Sequence, residues 1–187
     1  MSKGKLFIIS GASGVGKGTV LKAIMQQRED LMFSVSATTR LPREGEVDGI
    51  HYYFVTKEVF EDMIQRGEFL EYDAHAANYY GTLKGQAEAK MKTGHVLLDI
   101  EPKGAAQVRK AAPDATLIFI MPPSMEELER RLRGRGDTSE EQIKMRMERA
   151  VWEMEQQSWY DHVVVNDQVD ACAKEILNII SAVADTN

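Results

Sequence analysis

The sequence contains a single cysteine, Cys172, among its 187 residues. One thiol cannot form an intramolecular disulfide, and a structural zinc site built on several cysteines is excluded as well. A lone cysteine together with ten methionines is typical of a reducing compartment. We therefore expect a cytoplasmic location.

Long hydrophobic runs are also missing. Apolar stretches such as residues 6–9 and 96–98 fall far short of the roughly 18 residues that a membrane span needs. The first residues lack the apolar segment and small-residue cleavage site of a signal peptide, so we expect neither export nor a membrane partner. Basic charge is not in excess, because 23 Lys and Arg stand against 29 Asp and Glu, and the net charge of -6 argues against nucleic acid as a partner.

What the sequence does have is an alternation of short apolar runs and helical patterns. Four runs are continuous, as in strands buried on both faces of a parallel sheet. They are residues 6–9, 95–100, 116–121 and 162–165. Segments with apolar residues on one helical face lie between them. We therefore predict an α/β fold with a parallel sheet, and the length fits one domain.

Two segments do not follow this alternation of strands and helices. Residues 34–82 combine turn-rich and aromatic, strand-like stretches with one short helix, which indicates a small, mostly β insertion. Residues 124–159 contain capping-box patterns that start at Ser124 and Thr138, on either side of a glycine turn, and predict the two helices of a lid. The core would then comprise residues 1–33, 83–123 and 160–187.

The sharpest local motif directly follows the first apolar run. Gly11-Ala-Ser-Gly-Val-Gly16-Lys17 matches the phosphate-loop pattern G-x-x-x-x-G-K. Glycines let backbone N–H groups turn towards a phosphate at the start of a helix, and Lys17 can reach the outer phosphates. A glycine-rich structural turn is the alternative, but the flanking strand and helix favour a nucleotide. The residues predicted to bind it are Gly11, Ala12, Ser13, Gly14, Val15, Gly16, Lys17, Gly18 and Thr19.

A magnesium ion is the expected cofactor. The residue after Lys17 is glycine, where the motif usually has a Ser or Thr for Mg²⁺, and the hydroxyl comes one place later at Thr19. Asp99 and Glu101 stand at the end of the second core run, and a strand-end carboxylate fits an acid that faces magnesium, with a purely structural carboxylate as the alternative. We expect an ion held mainly by phosphates and water, with Thr19 and Asp99 as candidate ligands.

Several longer motifs follow the phosphate loop in order. They are Ser34-Val-Ser-Ala-Thr-Thr-Arg-Leu-Pro-Arg-Glu-Gly-Glu46, Asp48-Gly49, Tyr52-Tyr-Phe-Val55, Glu71, Asn78-Tyr-Tyr-Gly-Thr82, Asp99-Ile-Glu101, Arg131-Leu-Arg-Gly-Arg-Gly136 and Val165-Asn-Asp167. Over about residues 4–180 the chain thereby resembles the guanylate kinase family. The resemblance implies a three-layer P-loop kinase core with a GMP-binding segment and a helical lid. It also implies an enzyme that transfers the γ-phosphate of ATP to GMP, giving ADP and GDP.

The resemblance assigns the acceptor site to residues that suit GMP chemically. Two arginine forks and two phenol hydroxyls can surround a phosphate dianion. A carboxylate at residue 71 can accept from N1–H and the exocyclic amine of guanine, whereas adenine presents an acceptor at N1. The phosphate-holding positions are Arg40, Arg43, Tyr52 and Tyr80, and the guanine-reading positions are Ser36, Glu71 and Thr82. The complete GMP-binding set adds Glu46, Asp99 and Glu101.

The resemblance also implies that lid arginines close over ATP and deliver positive charge as the transition state forms. The catalytic set would be Lys17, Arg40, Arg131, Arg135 and Arg146. Asn166 matches a contact on the adenine side of ATP. Composition alone favours a solvated pair of charged helices, because seven acidic residues lie between Glu126 and Glu148.

Two positions depart from the family pattern, and two other functions stay open. Glu101 stands where Asp is often found, so its longer arm could shift a contact with GMP or magnesium, and Lys103 stands where Gln is expected. A non-catalytic guanylate-kinase-like module that binds peptides is one alternative, although such modules usually have a damaged phosphate loop. A kinase of phosphorylated sugars is another, and it would not need the guanine-reading residues. The sequence does not indicate an oligomeric state.

Overall fold

A computed structural model describes residues 4–75, 77–134 and 139–186, which form nine strands and seven α-helices. The strands are β1 (Leu6–Gly11), β2 (Leu31–Phe33), β3 (Ser36–Thr38), β4 (Tyr53–Phe54), β5 (Phe69–His75), β6 (Asn78–Leu83), β7 (His95–Asp99), β8 (Thr116–Met121) and β9 (His162–Val165). The helices are α1 (Lys17–Met25), α2 (Lys57–Gln65), α3 (Lys84–Lys90), α4 (Pro102–Ala111), α5 (Met125–Arg133), α6 (Glu140–Glu155) and α7 (Val169–Ala184). Within these described ranges, no helix has both the length and the apolar character to cross a membrane.

The strands form two sheets. Five strands make a parallel sheet in the order β2-β7-β1-β8-β9, and four make a second sheet in the order β4-β3-β6-β5. In the second sheet β6 runs antiparallel to both β3 and β5. All six residues of β1 are buried, as are the first five of β8, in agreement with their continuous apolar sequences. The predicted α/β class with a parallel sheet is confirmed.

Strand β9 differs from the expectation of burial on both faces. Val164 is 1% exposed, whereas Val163 and Val165 are 42% and 49% exposed. The strand lies at the edge of the five-stranded sheet, so only one of its faces is covered. A short run of valines therefore predicted the strand correctly but not its position in the sheet.

The contacts divide the chain into two compact units. Unit one comprises Met1–Leu6, Asp30–Leu98 and Lys103–Ala115, and unit two comprises Phe7–Glu29, Asp99–Pro102 and Thr116–Asn187. Unit one contains the four-stranded sheet, whose core is built on Ala37, Phe60 and Phe69. Unit two contains β8, β9, α1, α5, α6 and α7. The division into a core, residues 34–82 and a lid stays a prediction.

Helices α5 and α6, which the sequence predicts to form a lid, both begin with side-chain caps. At α5, Ser124 Oγ accepts from the Glu127 N–H as predicted. At α6, the capping box consists of Ser139 and Gln142, because each side chain bonds to the other's backbone N–H. The prediction of a box from Thr138 to Glu141 was therefore one residue early, and Thr138 itself lies outside the described residues. Such caps stabilise a helix by about 1 kcal/mol.

Candidate active site

The phosphate loop connects β1 to α1 in unit two. Gly14 and Gly16 have φ angles of 88° and 91°, in the left-handed region that favours glycine. A Cβ at Gly14 would lie 2.5 Å from Leu132 Cδ2, and one at Gly16 would lie 2.9 Å from Asn166 Nδ2. Both glycines are thus required by conformation and by space. The loop they shape ends at the N-terminus of α1, where backbone N–H groups and the helix dipole favour an anion.

The loop lines a cleft of about 420 Å³, and all nine nucleotide-binding residues predicted from the motif contribute to it. Lys17 Nζ forms an ion pair with Asp99, at the end of β7. The strand-end carboxylate is therefore brought to the phosphate loop, as expected for residues at the carboxyl ends of parallel strands. The remaining cleft residues are Glu101, Arg149 and Glu153.

Asn166 and Arg131 hold the carbonyl of Val15 in the loop. Asn166 is 2% exposed, and its Nδ2 donates to Val15 O at 2.8 Å. Arg131 Nη1 donates to the same oxygen at 3.2 Å and to Asn166 O at 2.9 Å. Arg131 thus ties α5 to the phosphate loop, and Arg146 Nε reaches Ser13 Oγ at 3.4 Å. The predicted lid arginine Arg135 lies outside the described residues.

A second group of charged contacts reaches the loop from α6. Glu153, which is 3% exposed, accepts from the Ser13 N–H at 2.6 Å and from Arg149 Nε at 2.9 Å. Arg149 also forms an ion pair with Glu101. Glu101 was predicted to contact GMP, and within unit two its observed partner is this arginine.

In unit one, strand register aligns the three residues predicted to read guanine. Thr82 on β6 pairs with Ser36 on β3 and with Glu71 on β5. Directly paired residues on neighbouring strands project to the same face of a sheet. Thr82 Oγ1 donates to Glu71 Oε1 at 2.6 Å. We call Ser36, Glu71 and Thr82 the guanine cluster.

The helix α4 approaches this cluster through a glycine. A Cβ at Gly104 would lie 2.8 Å from Glu71 Oε2, so a larger residue there would displace the carboxylate. Nearby, the Gln107 side chain accepts from the Tyr72 N–H at 3.2 Å and donates to the Tyr72 carbonyl at 2.8 Å. These bonds tie α4 to the edge strand β5 and fix the helix beside Glu71.

The positions predicted to hold the GMP phosphate also assemble in unit one. Arg40 makes a two-pronged ion pair with Glu46, with N–O distances of 2.6 and 2.7 Å, and its guanidinium lies 5.2 Å from the centre of the Tyr52 ring. The Tyr52 and Tyr80 ring centres are 6.1 Å apart. Hydrogen bonds from Arg40 and then from the Arg43 N–H lower the pKa of Glu46 to about 2. Glu46 therefore stays ionised and keeps Arg40 in place, while the Arg43 side chain is exposed.

Comparisons with known proteins show which family this chain belongs to. The family model described as guanylate kinase matches residues 3–183. The chain belongs to the guanylate kinase family. A guanylate kinase from Prochlorococcus marinus is 48% identical over 179 residues, which cover 95% of this chain and 97% of the relative. One from Clostridioides difficile is 45% identical over 183 residues, covering 97% of this chain and 89% of the relative.

Solved structures support the same assignment. The crystal structure of guanylate kinase from Anaplasma phagocytophilum aligns with a TM-score of 0.75 and 34% identity, covering 100% of this chain and 89% of that one. The SH3-kinase fragment of tight junction protein 3 aligns with a TM-score of 0.50, covering 97% of this chain and 58% of that one, but at 12% identity it shows the fold alone. The resemblance drawn from the motifs is confirmed, and so is the prediction that this chain is a kinase.

The described residues of this chain contain no group of three or more His, Cys, Asp or Glu that could hold a metal ion. Thr19 lines the cleft, and Asp99 pairs with Lys17 beside it. Both offer oxygen, the donor that Mg²⁺ prefers, and this ion usually keeps several waters and phosphate oxygens as ligands. The residues present therefore fit an ion held by few protein ligands.

Sequence reasoning missed Arg149, Glu153 and Gly104. Arg149 and Glu153 are four residues apart on α6, a spacing that predicts an ion pair on one helix face. That spacing was the available signal for the pair. Gly104 carried no signal of its own, because the need for glycine arises only from the closeness of Glu71.

Proposed function

We propose that this chain transfers the γ-phosphoryl group of ATP to GMP, giving ADP and GDP. The observation that carries the proposal is the intact phosphate loop, with its two left-handed glycines, its lysine and its 420 Å³ cleft. It occurs in a chain that is 48% identical to a protein named guanylate kinase. Loops of this kind hold the phosphates of the donor nucleotide in related kinases.

On the donor side, Lys17 and the amides of residues 11–19 would bind the phosphates of ATP. The buried Oδ1 of Asn166 has no hydrogen-bond partner in the described part of the chain. This oxygen would accept a hydrogen bond from the amine of adenine. Arg131, Arg135 and Arg146 would stabilise the charge of the transferring phosphoryl group. When bound, Mg²⁺ would neutralise charge on the β- and γ-phosphates, with Thr19 and Asp99 as the side chains that hold it.

On the acceptor side, the phosphate of GMP is itself the nucleophile, so no catalytic base is required and positioning dominates. Arg40, Arg43, Tyr52 and Tyr80 would hold that phosphate, with Glu46 orienting Arg40. The guanine cluster would read the base, and Asp99 and Glu101 are further predicted contacts. Glu71 is 7% exposed, so little water can reach its carboxylate. If AMP were bound, the N1 acceptor of adenine would face this carboxylate without a hydrogen bond, and solvent could not replace the missing bond.

A coupled assay with ATP and each of GMP, AMP, UMP and CMP tests the proposal. We expect ADP release with GMP to exceed that with any other acceptor by at least about 1,000-fold in kcat/KM, because a polar site rejects bases that leave its groups unpaired. The Lys17→Met protein, purified in parallel, controls for contaminating kinases. Equal use of another nucleotide, or no transfer to GMP, would contradict the proposal.

A further inference from the structure

Two carboxylates flank one guanidinium in the phosphate-loop cleft. Arg149 Nε donates to Glu153 Oε1 at 2.9 Å, and Arg149 Nη2 pairs with Glu101. Glu153 Oε2 also accepts from the backbone N–H of Ser13 in the loop, at 2.6 Å. A continuous chain of charged contacts thus runs from Glu101 through α6 to the phosphate loop.

This arrangement matters because the cleft is proposed to receive a polyphosphate. The carboxylates of Glu101 and Glu153 would repel phosphate oxygens placed in the cleft that they line. Glu153 is 3% exposed, so solvent and salt screen its charge poorly. Arg149 supplies the positive charge between the two carboxylates, as Lys17 does beside Asp99.

We propose that Arg149 is a positioning residue for ATP, which neutralises Glu101 and Glu153 and thereby lets the phosphate loop accept a triphosphate. The inference rests on the proposed function and adds an arginine to those predicted from the sequence. It also gives a role to Glu101, which stands where the family often has aspartate, because the longer side chain of glutamate reaches Arg149. The i,i+4 spacing on α6 holds Arg149 against Glu153 independently of any ligand.

A direct contact between Arg149 and a phosphate would have a different signature. If Arg149 bound a phosphate itself, its removal would weaken ATP binding whether or not Glu101 carried a charge. If it acts by neutralising the carboxylates, removing the Glu101 charge as well would restore much of the lost affinity. A double-mutant cycle on these two residues separates the two modes.

The chain offers a closely matched control. Arg133 also pairs with two glutamates, Glu129 and Glu140, and its side chain is 44% exposed, against 42% for Arg149. Arg133 is not among the residues that line the phosphate-loop cleft. Replacing it therefore removes the same number of ion pairs without changing the charge inside that cleft.

Calorimetric titration with ATP and Mg²⁺, without GMP, tests the inference. We expect Arg149→Met to raise the Kd for ATP by about 10- to 100-fold, because the change leaves the carboxylates of Glu101 and Glu153 without their positive partner. Arg149→Met combined with Glu101→Gln should return to within about fivefold of the wild type, since one of the repelling charges is gone. Arg133→Met should stay within about twofold, as expected for exposed ion pairs.

Unchanged affinity in Arg149→Met, or equal weakness in the single and double variants, would overturn the inference. If thermal unfolding shows that Arg149→Met does not fold, Arg149→Lys keeps the charge and decides instead. We expect it within about fivefold of the wild type, and a loss above about 20-fold would overturn the neutralising role. Because GMP is absent, a protein with the expected ATP affinities but no transfer would refute only the proposed function.

Discussion

The phosphate loop and the guanine cluster are two proposed recognition regions built on opposite principles. The loop uses the backbone, since left-handed glycines shape it and the start of α1 favours any anion of suitable size. The cluster uses side chains, which the register of β3, β6 and β5 places in a row. Backbone groups are the same for every sequence, whereas side chains can match one base and reject another. We therefore expect changes in the loop to alter the rate and changes in the cluster to alter substrate choice.

The largest expected effect is on that choice of base. Adenine would place its N1 acceptor against the Glu71 carboxylate, so we expect kcat/KM for GMP to exceed that for AMP by on the order of 10⁴-fold. Glu71→Gln loses the charge but gains an amide that can donate to adenine N1. The variant should use GMP roughly 10- to 1,000-fold less well and show a narrower GMP/AMP ratio, with little change in the KM for ATP.

Steady-state kinetics with both acceptors measures this effect, and Glu88→Gln on the exposed side of α3 is the control. A Glu71→Gln enzyme that kept its full preference for GMP would show that guanine is read elsewhere. The contrast between a side-chain site and a backbone site would then have to be abandoned for this region.

The complementary test is a change in the phosphate loop. Lys17→Met removes the ammonium that pairs with Asp99 and that would neutralise charge on the donor phosphates. We expect kcat to fall by about 100-fold or more, with nearly unchanged GMP affinity, because the lysine acts on charge that develops in the transition state. Lys22→Met, an exposed change near the end of α1, should leave kcat unchanged.

Kinetics combined with thermal unfolding check the result. A Lys17→Met enzyme with wild-type stability and wild-type kcat would remove the lysine from the mechanism. A shift in the GMP/AMP ratio would instead show that the loop takes part in substrate choice, contrary to the expected separation.

The same contrast explains how much could be predicted from the sequence. The glycines and Lys17 are contiguous, so one local motif was enough to predict the loop, its strand and its helix. The position of β9 at the sheet edge depends on which strands pair, and its apolar sequence carries no record of that. Glu153 reaches Ser13 across 140 positions of sequence, so its contact with the loop requires the tertiary fold.

The guanine cluster could be predicted from the sequence only in part. Its residues are spread over three strands, and the family resemblance selected them before any register was known. The pairing of Thr82 with both Ser36 and Glu71 places the three side chains on one face of the sheet. Gly104 was missed because a glycine without a motif gives no sign of what it makes room for.

The smallest expected effect concerns the predicted GMP-phosphate site, where Arg40 is held by Glu46 much as Arg149 is held by carboxylates in the phosphate-loop cleft. Arg40 lowers the pKa of Glu46 from the ordinary 4.5 to about 2. A carboxyl group with a lower pKa in the folded state stabilises the protein above its unfolded pKa, and this stabilisation is lost as the pH falls through the folded value.

We expect the free energy of unfolding of the wild type, relative to Glu46→Gln, to decline between pH 4.5 and 2. Urea denaturation across that range measures it, with the exposed Glu44→Gln as control. A difference that does not vary with pH would mean that Arg40 is not held by an ionised Glu46, and the parallel with Arg149 would fail.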